Sequence, residues 1–178
     1  MKILFTRHGQ TDWNKEMKIQ GRVDIPLNEE GKRQAKELHD KLLDTKIDIV
    51  ISSPLSRALE TAKLIRGQRD IPLITDERIL EEYYGEMEGE SRLNNPVYLK
   101  QRTSFFKRYP KGESYFDVYH RVASFFEDLK KRFPPSYTIL IVGHGGMSRV
   151  VNIYFKDMEN DDFPSYGLKN CEVAEYEL

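Results

Sequence analysis

Cysteine is almost missing from this sequence, because Cys171 is the single one among 178 residues. One thiol cannot form a disulfide within the chain, which excludes a disulfide-stabilised scaffold and makes a reducing, cytoplasmic setting the expectation. An excess of charge of one sign is missing too, since 28 Lys and Arg residues face 29 Asp and Glu residues. The formal net charge of −1 gives no bulk attraction to nucleic acid or to an anionic membrane. Neither is therefore expected as a partner, and any anion binding must be local.

Long hydrophobic runs are absent as well. Nowhere do about 18 consecutive apolar residues occur, so the sequence predicts no transmembrane helix. Met1 leads straight into the short run Lys2–Thr6, which lacks the pattern of a secretory signal. The remaining composition, 39% hydrophobic and 32% charged residues, is typical of a globular protein. The length suits one buried core, so we expect residues 1–178 to form a single domain.

Apolar runs alternate with amphipathic stretches along the chain. Strands are predicted at five apolar runs, residues 3–5, 47–51, 71–74, 138–142 and 171–176. Helices are predicted at four amphipathic stretches, residues 28–44, 53–67, 114–133 and 147–154. The polar segment 90–111 is expected to be partly helical. This alternation predicts an α/β fold with a largely parallel sheet.

Polar side chains follow three of these predicted strands. Arg7-His8 comes after the first strand, Arg57 lies shortly after the second, and His144 follows the fourth. Ligands of open parallel sheets bind beyond the carboxyl ends of the strands, so we expect these side chains to meet. Guanidinium groups match phosphate oxygens two at a time, and the backbone around Gly9 and residues 143–146 can approach an anion closely. The pattern predicts a phosphate pocket.

Several other chemistries lack their motifs. The sequence contains no G-x-x-x-x-G-K-[ST] loop and no G-x-S-x-G elbow, and no arginine follows Cys171 as a cysteine phosphatase requires. H-E-x-x-H and paired C-x-x-C motifs are also absent, so neither a metal nor another cofactor is expected. His39 and His120 lie in helical stretches and are interpreted as surface or packing residues.

The motif Arg7-His8-Gly9-Gln10-Thr11, followed by Trp13-Asn14, resembles the signature of the histidine phosphatase superfamily. The resemblance continues in family order through residues 20–31, 53–62, 80–89, 112–121 and 142–146. It implies the fold of phosphoglycerate mutase, with three α/β/α layers around a mostly parallel sheet. It also makes residues 90–111 a substrate-specificity insert.

The resemblance further implies a role for each matching residue. His8 is expected to be the nucleophile that becomes phosphorylated, and Glu81, four residues before Gly85, the proton donor. Three side chains are expected to hold the phosphoryl oxygens, namely those of Arg7, Arg57 and His144. Five further residues are expected to bind substrate, namely Thr11, Asn14, Gln20, Gly21 and Gly145. The adjacent Glu82 leaves open that one of the two glutamates is a surface charge.

These expectations describe a cytoplasmic phosphomonoesterase that works through a phosphohistidine without metal. Its substrate is expected to be a small phosphate ester, with α-ribazole phosphate as one specific hypothesis and a broad range of phosphorylated metabolites as another. A phosphoglycerate mutase-type phosphotransferase and a non-catalytic phosphate-binding regulator remain as alternatives. The cationic stretch Lys100–Lys111 is interpreted mainly as a solvated surface, and the sequence leaves the oligomeric state open.

Overall fold

Five strands form one sheet in the computed structural model, which describes all residues from 1 to 178. They are β1 (Lys2–Arg7), β2 (Ile49–Ser52), β3 (Leu73–Thr75), β4 (Thr138–Gly143) and β5 (Val173–Glu177). Their spatial order is β3-β2-β4-β1-β5, in which β5 runs antiparallel to β1 and every other neighbouring pair is parallel. The predicted α/β class with a mostly parallel sheet is confirmed.

Six α-helices accompany the sheet. They are α1 (Asp12–Lys15), α2 (Glu29–Lys41), α3 (Ser56–Arg66), α4 (Pro96–Gln101), α5 (Tyr115–Arg132) and α6 (Gly145–Phe155). Two short 3₁₀ turns cover Glu77–Ile79 and Gly85–Met87. None of the helices combines the length and the apolar composition that crossing a membrane requires.

Local side-chain chemistry explains where several helices begin. Ser114 and Asp117 form a capping box at the start of α5, in which each side chain accepts a hydrogen bond from the other residue's backbone N–H. The predicted start of α3 at Ser53 was wrong, because that helix begins at Ser56. The backbone N–H of Ser53 still donates to the carbonyl of Val142, 3.0 Å away, so the chain remains extended at that point.

Alternate residues of the central strands face opposite sides of the sheet. Ile3, Phe5 and Ile141 pack with the apolar faces of α5 and α6. Leu4 and Val142 pack with α2 and α3 on the other side. The sheet is thus covered on both faces, and its parallel strands are almost fully buried. The three-layer α/β/α arrangement follows from this alternation.

The register of the parallel strands places the polar motifs side by side. Arg7 at the end of β1 lies opposite Gly143 at the end of β4, and Ser52 at the end of β2 lies opposite Val142. The residues that follow these ends therefore emerge at one edge of the sheet. This edge carries the candidate site.

Candidate active site

His8 follows β1 directly and is buried, with only 2% of its surface exposed. Its Nδ1 lies 2.6 Å from the carbonyl oxygen of Gly9. Because a carbonyl only accepts hydrogen bonds, Nδ1 must carry the proton, and the lone pair of the neutral ring is on Nε2. Burial, with the positive charges of Arg57 and Arg7, holds the pKa of His8 well below its usual value. His8 is therefore an uncharged imidazole with a free nucleophilic nitrogen.

His144 lies next to His8, at the first position of the turn that opens α6. The two ring centroids are 5.3 Å apart in an edge-to-face arrangement. His144 is fully buried, and neither of its ring nitrogens has a hydrogen-bond partner. Burial and the charge of Arg57 hold the pKa of His144 well below its usual value. A buried imidazole without partners is costly unless a ligand engages it, so the ring is suited to contact an anion bound at His8.

Arg57 and Arg7 bring two guanidinium groups to the same place. Arg57 is fully buried and donates to the carbonyls of Gly21 and Val23, at 2.6 and 2.9 Å, while its Nε has no partner. Arg7 donates to the carbonyl of Leu168 at 3.0 Å, and its Nε is also buried without a partner. Neither arginine forms an ion pair with a carboxylate. Both guanidinium groups therefore keep their positive charge and have N–H donors left to bind an external anion.

Glu81 approaches this cluster from the loop after Glu77–Ile79. Its carboxylate accepts hydrogen bonds from the backbone N–H groups of Gly146 and Met147, at 3.0 and 2.9 Å, in the first turn of α6. A third bond, 2.9 Å long, comes from the N–H of Glu82. The start of α6 is thus the element that fixes the position of this carboxyl group.

Arg121 and Glu113 hold the loop that carries Glu81. The guanidinium of Arg121 donates to the carbonyls of Arg78, Leu80 and Glu81, at 2.7, 2.6 and 3.1 Å. It also forms two 3.1 Å hydrogen bonds with the carboxylate of Glu113. One side chain of α5 therefore ties three carbonyl groups of the short segment 78–81 to the helix.

The smaller predicted site residues do not all share one location. Asn14, Gln20, Gly21 and Gly145 line the same cavity as His8. Thr11 does not line it, and the expectation that Thr11 contacts substrate is corrected here. Its buried hydroxyl accepts a hydrogen bond from the N–H of Asn14 and caps α1.

The cavity has a volume of about 220 Å³. Its lining includes five large side chains that the motifs did not predict, those of Lys18, Tyr84, Arg92, Tyr98 and Arg149. A signal for Arg149 existed, because it stands four residues after Gly145 and so shares a face of α6 with it. Arg92 lies in an irregular segment and left no pattern to detect. No group of three or more His, Cys, Asp and Glu side chains is arranged to hold a metal ion.

Glu82 is fully buried, so the hypothesis that it is a surface charge was wrong. Neither of its carboxyl oxygens has a hydrogen-bond partner. Burial, and then the negative charge of Glu81, raise the pKa of Glu82 well above its usual value. Burial in this position therefore disfavours the charged form of Glu82.

Comparisons with known proteins agree with this geometry. The "Uncharacterized phosphatase PhoE" of Bacillus subtilis is 34% identical over 179 residues, covering 97% of this chain and 89% of that protein. "Phosphoserine phosphatase 1" of Hydrogenobacter thermophilus is 31% identical and covers 98% of this chain and 85% of its own. The solved structure of Bacillus stearothermophilus YhfR superposes with a TM-score of 0.88 at 31% identity, covering 98% of this chain and 89% of that one.

Relatives with a different activity occur at lower identity. Phosphoglycerate mutases that depend on 2,3-bisphosphoglycerate match at 26% to 28% identity. The fold of an α-ribazole phosphatase from Shigella flexneri is shared at 24% identity. The family model of the histidine phosphatase superfamily, branch 1, matches residues 3–178. This match over nearly the whole chain shows that the protein belongs to the histidine phosphatase superfamily.

Proposed function

We propose that the protein hydrolyses a small phosphomonoester through a phosphohistidine formed on Nε2 of His8. The observation that carries this proposal is the 2.6 Å contact between Nδ1 of His8 and the Gly9 carbonyl. It fixes the neutral tautomer that leaves Nε2 free as a nucleophile. Arg7 and Arg57, which lack carboxylate partners, supply the positive charge that a transferring phosphoryl group needs. Phosphatase relatives support the same reaction class.

The reaction divides into two steps. In the first, Nε2 of His8 attacks phosphorus, the ester P–O bond breaks, and Glu81 donates its proton to the departing alkoxide. In the second, the Glu81 carboxylate removes a proton from water, whose oxygen attacks phosphorus and breaks the P–N bond. Orthophosphate leaves, and both His8 and Glu81 return to their starting states. The three N–H groups that face Glu81 stabilise its ionised form between the two steps.

Hydrolysis is preferred to a mutase reaction because only residues 90–111 separate the acidic motif from Gly112. A mutase must hold its substrate long enough to return the phosphoryl group to it, and this short insert offers little enclosure. The cavity volume of about 220 Å³ lies below the usual range for ligand pockets. This favours small phosphorylated metabolites over a nucleotide-sized ester such as α-ribazole phosphate.

The His8→Ala variant tests the proposal directly. We expect the wild type to release p-nitrophenol from p-nitrophenyl phosphate, with or without EDTA, and the variant to lose activity by at least about 10³-fold. Wild-type protein denatured with alkali during turnover is expected to carry one phosphoryl group by intact mass measured at basic pH, because phosphohistidine is stable in alkali and hydrolysed in acid, whereas the variant carries none. His120→Ala is the matched control, because His120 is exposed on α5.

Two results would contradict the proposal. Turnover retained in His8→Ala would remove His8 from the role of nucleophile. Absence of turnover by the wild type, together with binding of orthophosphate, would favour the non-catalytic regulator instead. Transfer of the phosphoryl group to an added phosphoglycerate rather than to water would favour the mutase.

A further inference from the structure

Three arginines outside the motifs surround the outer part of the active-site cavity. Arg92 and Arg149 line the cavity that contains His8. Both also line an adjoining cavity of about 230 Å³, together with Arg102 and Tyr98. The two cavities share Arg92, Tyr98 and Arg149 in their walls, and Arg102 lines the second one, so the three guanidinium groups lie at two adjoining cavities. We call Arg92, Arg102 and Arg149 the outer arginines.

The outer arginines lack carboxylate partners. Arg149 donates to the Tyr166 carbonyl and to the Tyr115 hydroxyl, and Arg102 donates to the Pro164 carbonyl. Arg92 has only long contacts of 3.4 Å, to the Asn14 carbonyl and the sulfur of Met17. Neither carboxyl oxygen of the nearby acid Glu82 accepts a hydrogen bond from an arginine, and burial raises the pKa of Glu82, which disfavours its charged form. Three positive charges therefore face the cavity without neutralisation.

Other cations in the same part of the chain are neutralised or turned outward. Lys111 pairs with Glu86 at 2.7 Å, and Arg108 pairs with Asp117 at 2.7 Å. Lys100 and Lys107 are exposed to solvent. Of the cationic stretch, only Arg102 is held at the cavity, and its guanidinium lies 5.7 Å from the ring centroid of Tyr98. The unpaired charges are thus confined to the wall of the cavity.

The inner and outer parts of the site repel each other while empty. Burial, followed by the charge of Arg92, lowers the pKa of Arg7 to about 10. One phosphate dianion can offset the charges of Arg7 and Arg57, and it leaves the outer arginines without a partner. Guanidinium groups bind carboxylates and phosphates in the same bidentate geometry. The geometry therefore points to a ligand with a second anionic group.

We propose that the outer arginines form a subsite for a second anionic group, a carboxylate or a phosphate, on the alcohol portion of the substrate. This inference rests on the proposed function, because the first anionic group is the phosphoryl group that His8 attacks. The substrate class is then a small phosphomonoester with a negative charge at its far end. Tyr98 closes the side of the subsite between the arginines.

Matched substrate pairs test the subsite. 3-Phosphoglycerate and glycerol 3-phosphate differ by a carboxylate in place of a hydroxymethyl group, and 1,3-propanediol bisphosphate and monophosphate differ by a second phosphate. We expect the wild type to prefer the more anionic member of at least one pair by about 10-fold or more in kcat/KM. A preference for 3-phosphoglycerate would show that the subsite binds a carboxylate. A preference for the bisphosphate would show that it binds a phosphate.

Variants connect that preference to the arginines. Arg92→Gln and Arg102→Gln are each expected to reduce the preference by about 10-fold, whereas Lys107→Gln retains it. Lys107 is the matched control, because it also carries a positive charge within residues 90–111 but faces solvent. Arg92 lies before α4 and Arg102 caps its end, so a folding defect in one variant, detected by circular dichroism, leaves the other informative.

The proposal is overturned if the wild type shows no preference in either pair, or if Lys107→Gln loses it as the arginine variants do. Absence of turnover with p-nitrophenyl phosphate would count against the proposed function alone. In that case titration calorimetry measures the dissociation constants of the same pairs. A lower constant for the more anionic member of a pair would support the subsite. Equal constants for both members of each pair would reject it.

Discussion

At the scale of single residues, the buried acid Glu82 has a measurable effect on stability. In the unfolded chain a glutamate ionises above a pH of about 4.3, whereas the raised pKa of Glu82 in the fold keeps it protonated. The folded state therefore binds more protons than the unfolded state above that pH. The contribution of Glu82 to the free energy of unfolding is largest below pH 4.3 and decreases as the pH rises.

Replacing Glu82 with glutamine should remove this pH dependence. We expect the free energy of unfolding of Glu82→Gln, relative to wild type, to rise between pH 5 and pH 7 by up to about 1.4 kcal/mol per pH unit. Urea denaturation at several pH values measures the difference. Glu90→Gln is the control, because the side chain of Glu90 is exposed. We expect the free energy of unfolding of this variant, relative to wild type, to be the same at every pH. A constant difference for Glu82→Gln as well would show that the carboxyl is ionised in the fold.

Residues of the site could be predicted from the sequence when a motif surrounded them. Arg7, His8 and Arg57 follow strand ends, and the parallel register brings them together as expected. Arg92 could not be predicted, because it lies in an irregular segment where neither periodicity nor strand order fixes a position. Thr11 was misplaced for another reason: a hydroxyl inside a signature motif serves a helix start as readily as a ligand.

At the scale of elements, α5 holds the loop of Glu81, the proposed proton donor, through Arg121. Lysine keeps the charge but cannot donate to three carbonyls and to Glu113 at once. In Arg121→Lys we therefore expect the loop that carries Glu81 to move, with a loss of about 10-fold or more in kcat/KM for an alkyl phosphate. The loss in kcat/KM for p-nitrophenyl phosphate should be much smaller, because nitrophenolate leaves without a proton and kcat/KM does not include the later hydrolysis of the phosphohistidine.

The ratio of the two kcat/KM values separates positioning of Glu81 from general destabilisation of the fold. Arg132→Lys, an exchange near the end of the same helix, is the control, and its ratio should match wild type. An equal loss on both substrates in Arg121→Lys would mean that Arg121 supports the fold without orienting Glu81.

Helices and strands with a strong periodicity of apolar residues could be predicted from the sequence. Their first and last residues were predicted less accurately. The helix over residues 28–44 appears as α2, three residues shorter at its end, and the strand over residues 138–142 appears as β4. The start of α3 was misjudged, because a backbone bond from Ser53 to β4 outcompetes the local preference of serine for a helix cap. Such long-range pairing leaves no trace in the local sequence.

At the scale of the whole molecule, anion binding is expected to stabilise the fold. Arg57 and His144 are fully buried and have nitrogens without a protein partner, and a bound anion would accept hydrogen bonds at these positions. Ligand binding to the folded state alone stabilises it, by about 2.7 kcal/mol at a concentration of 100 times Kd. We expect orthophosphate to raise Tm by several degrees relative to sodium chloride at equal ionic strength.

Variants of one helix check the origin of that shift. In Arg57→Met the rise in Tm with orthophosphate should largely disappear, whereas Lys63→Met, which alters an exposed cation on the same helix, should retain it. An equal rise in both variants would place the bound phosphate away from the predicted pocket. The fold itself, with strand order β3-β2-β4-β1-β5, matches the family identified from the motifs, since those motifs recur along nearly the whole chain.

The turn after His8 packs directly against the start of α2. A β-carbon added to Gly9 would lie 2.4 Å from the carbonyl oxygen of Gly31, and one added to Gly31 would lie 2.1 Å from that of Gln10. Both neighbours are backbone atoms, which cannot rotate aside as a flexible side chain can. A single methyl group on α2, a helix that provides no side chain to the cavity, would therefore displace the turn next to His8, the proposed nucleophile.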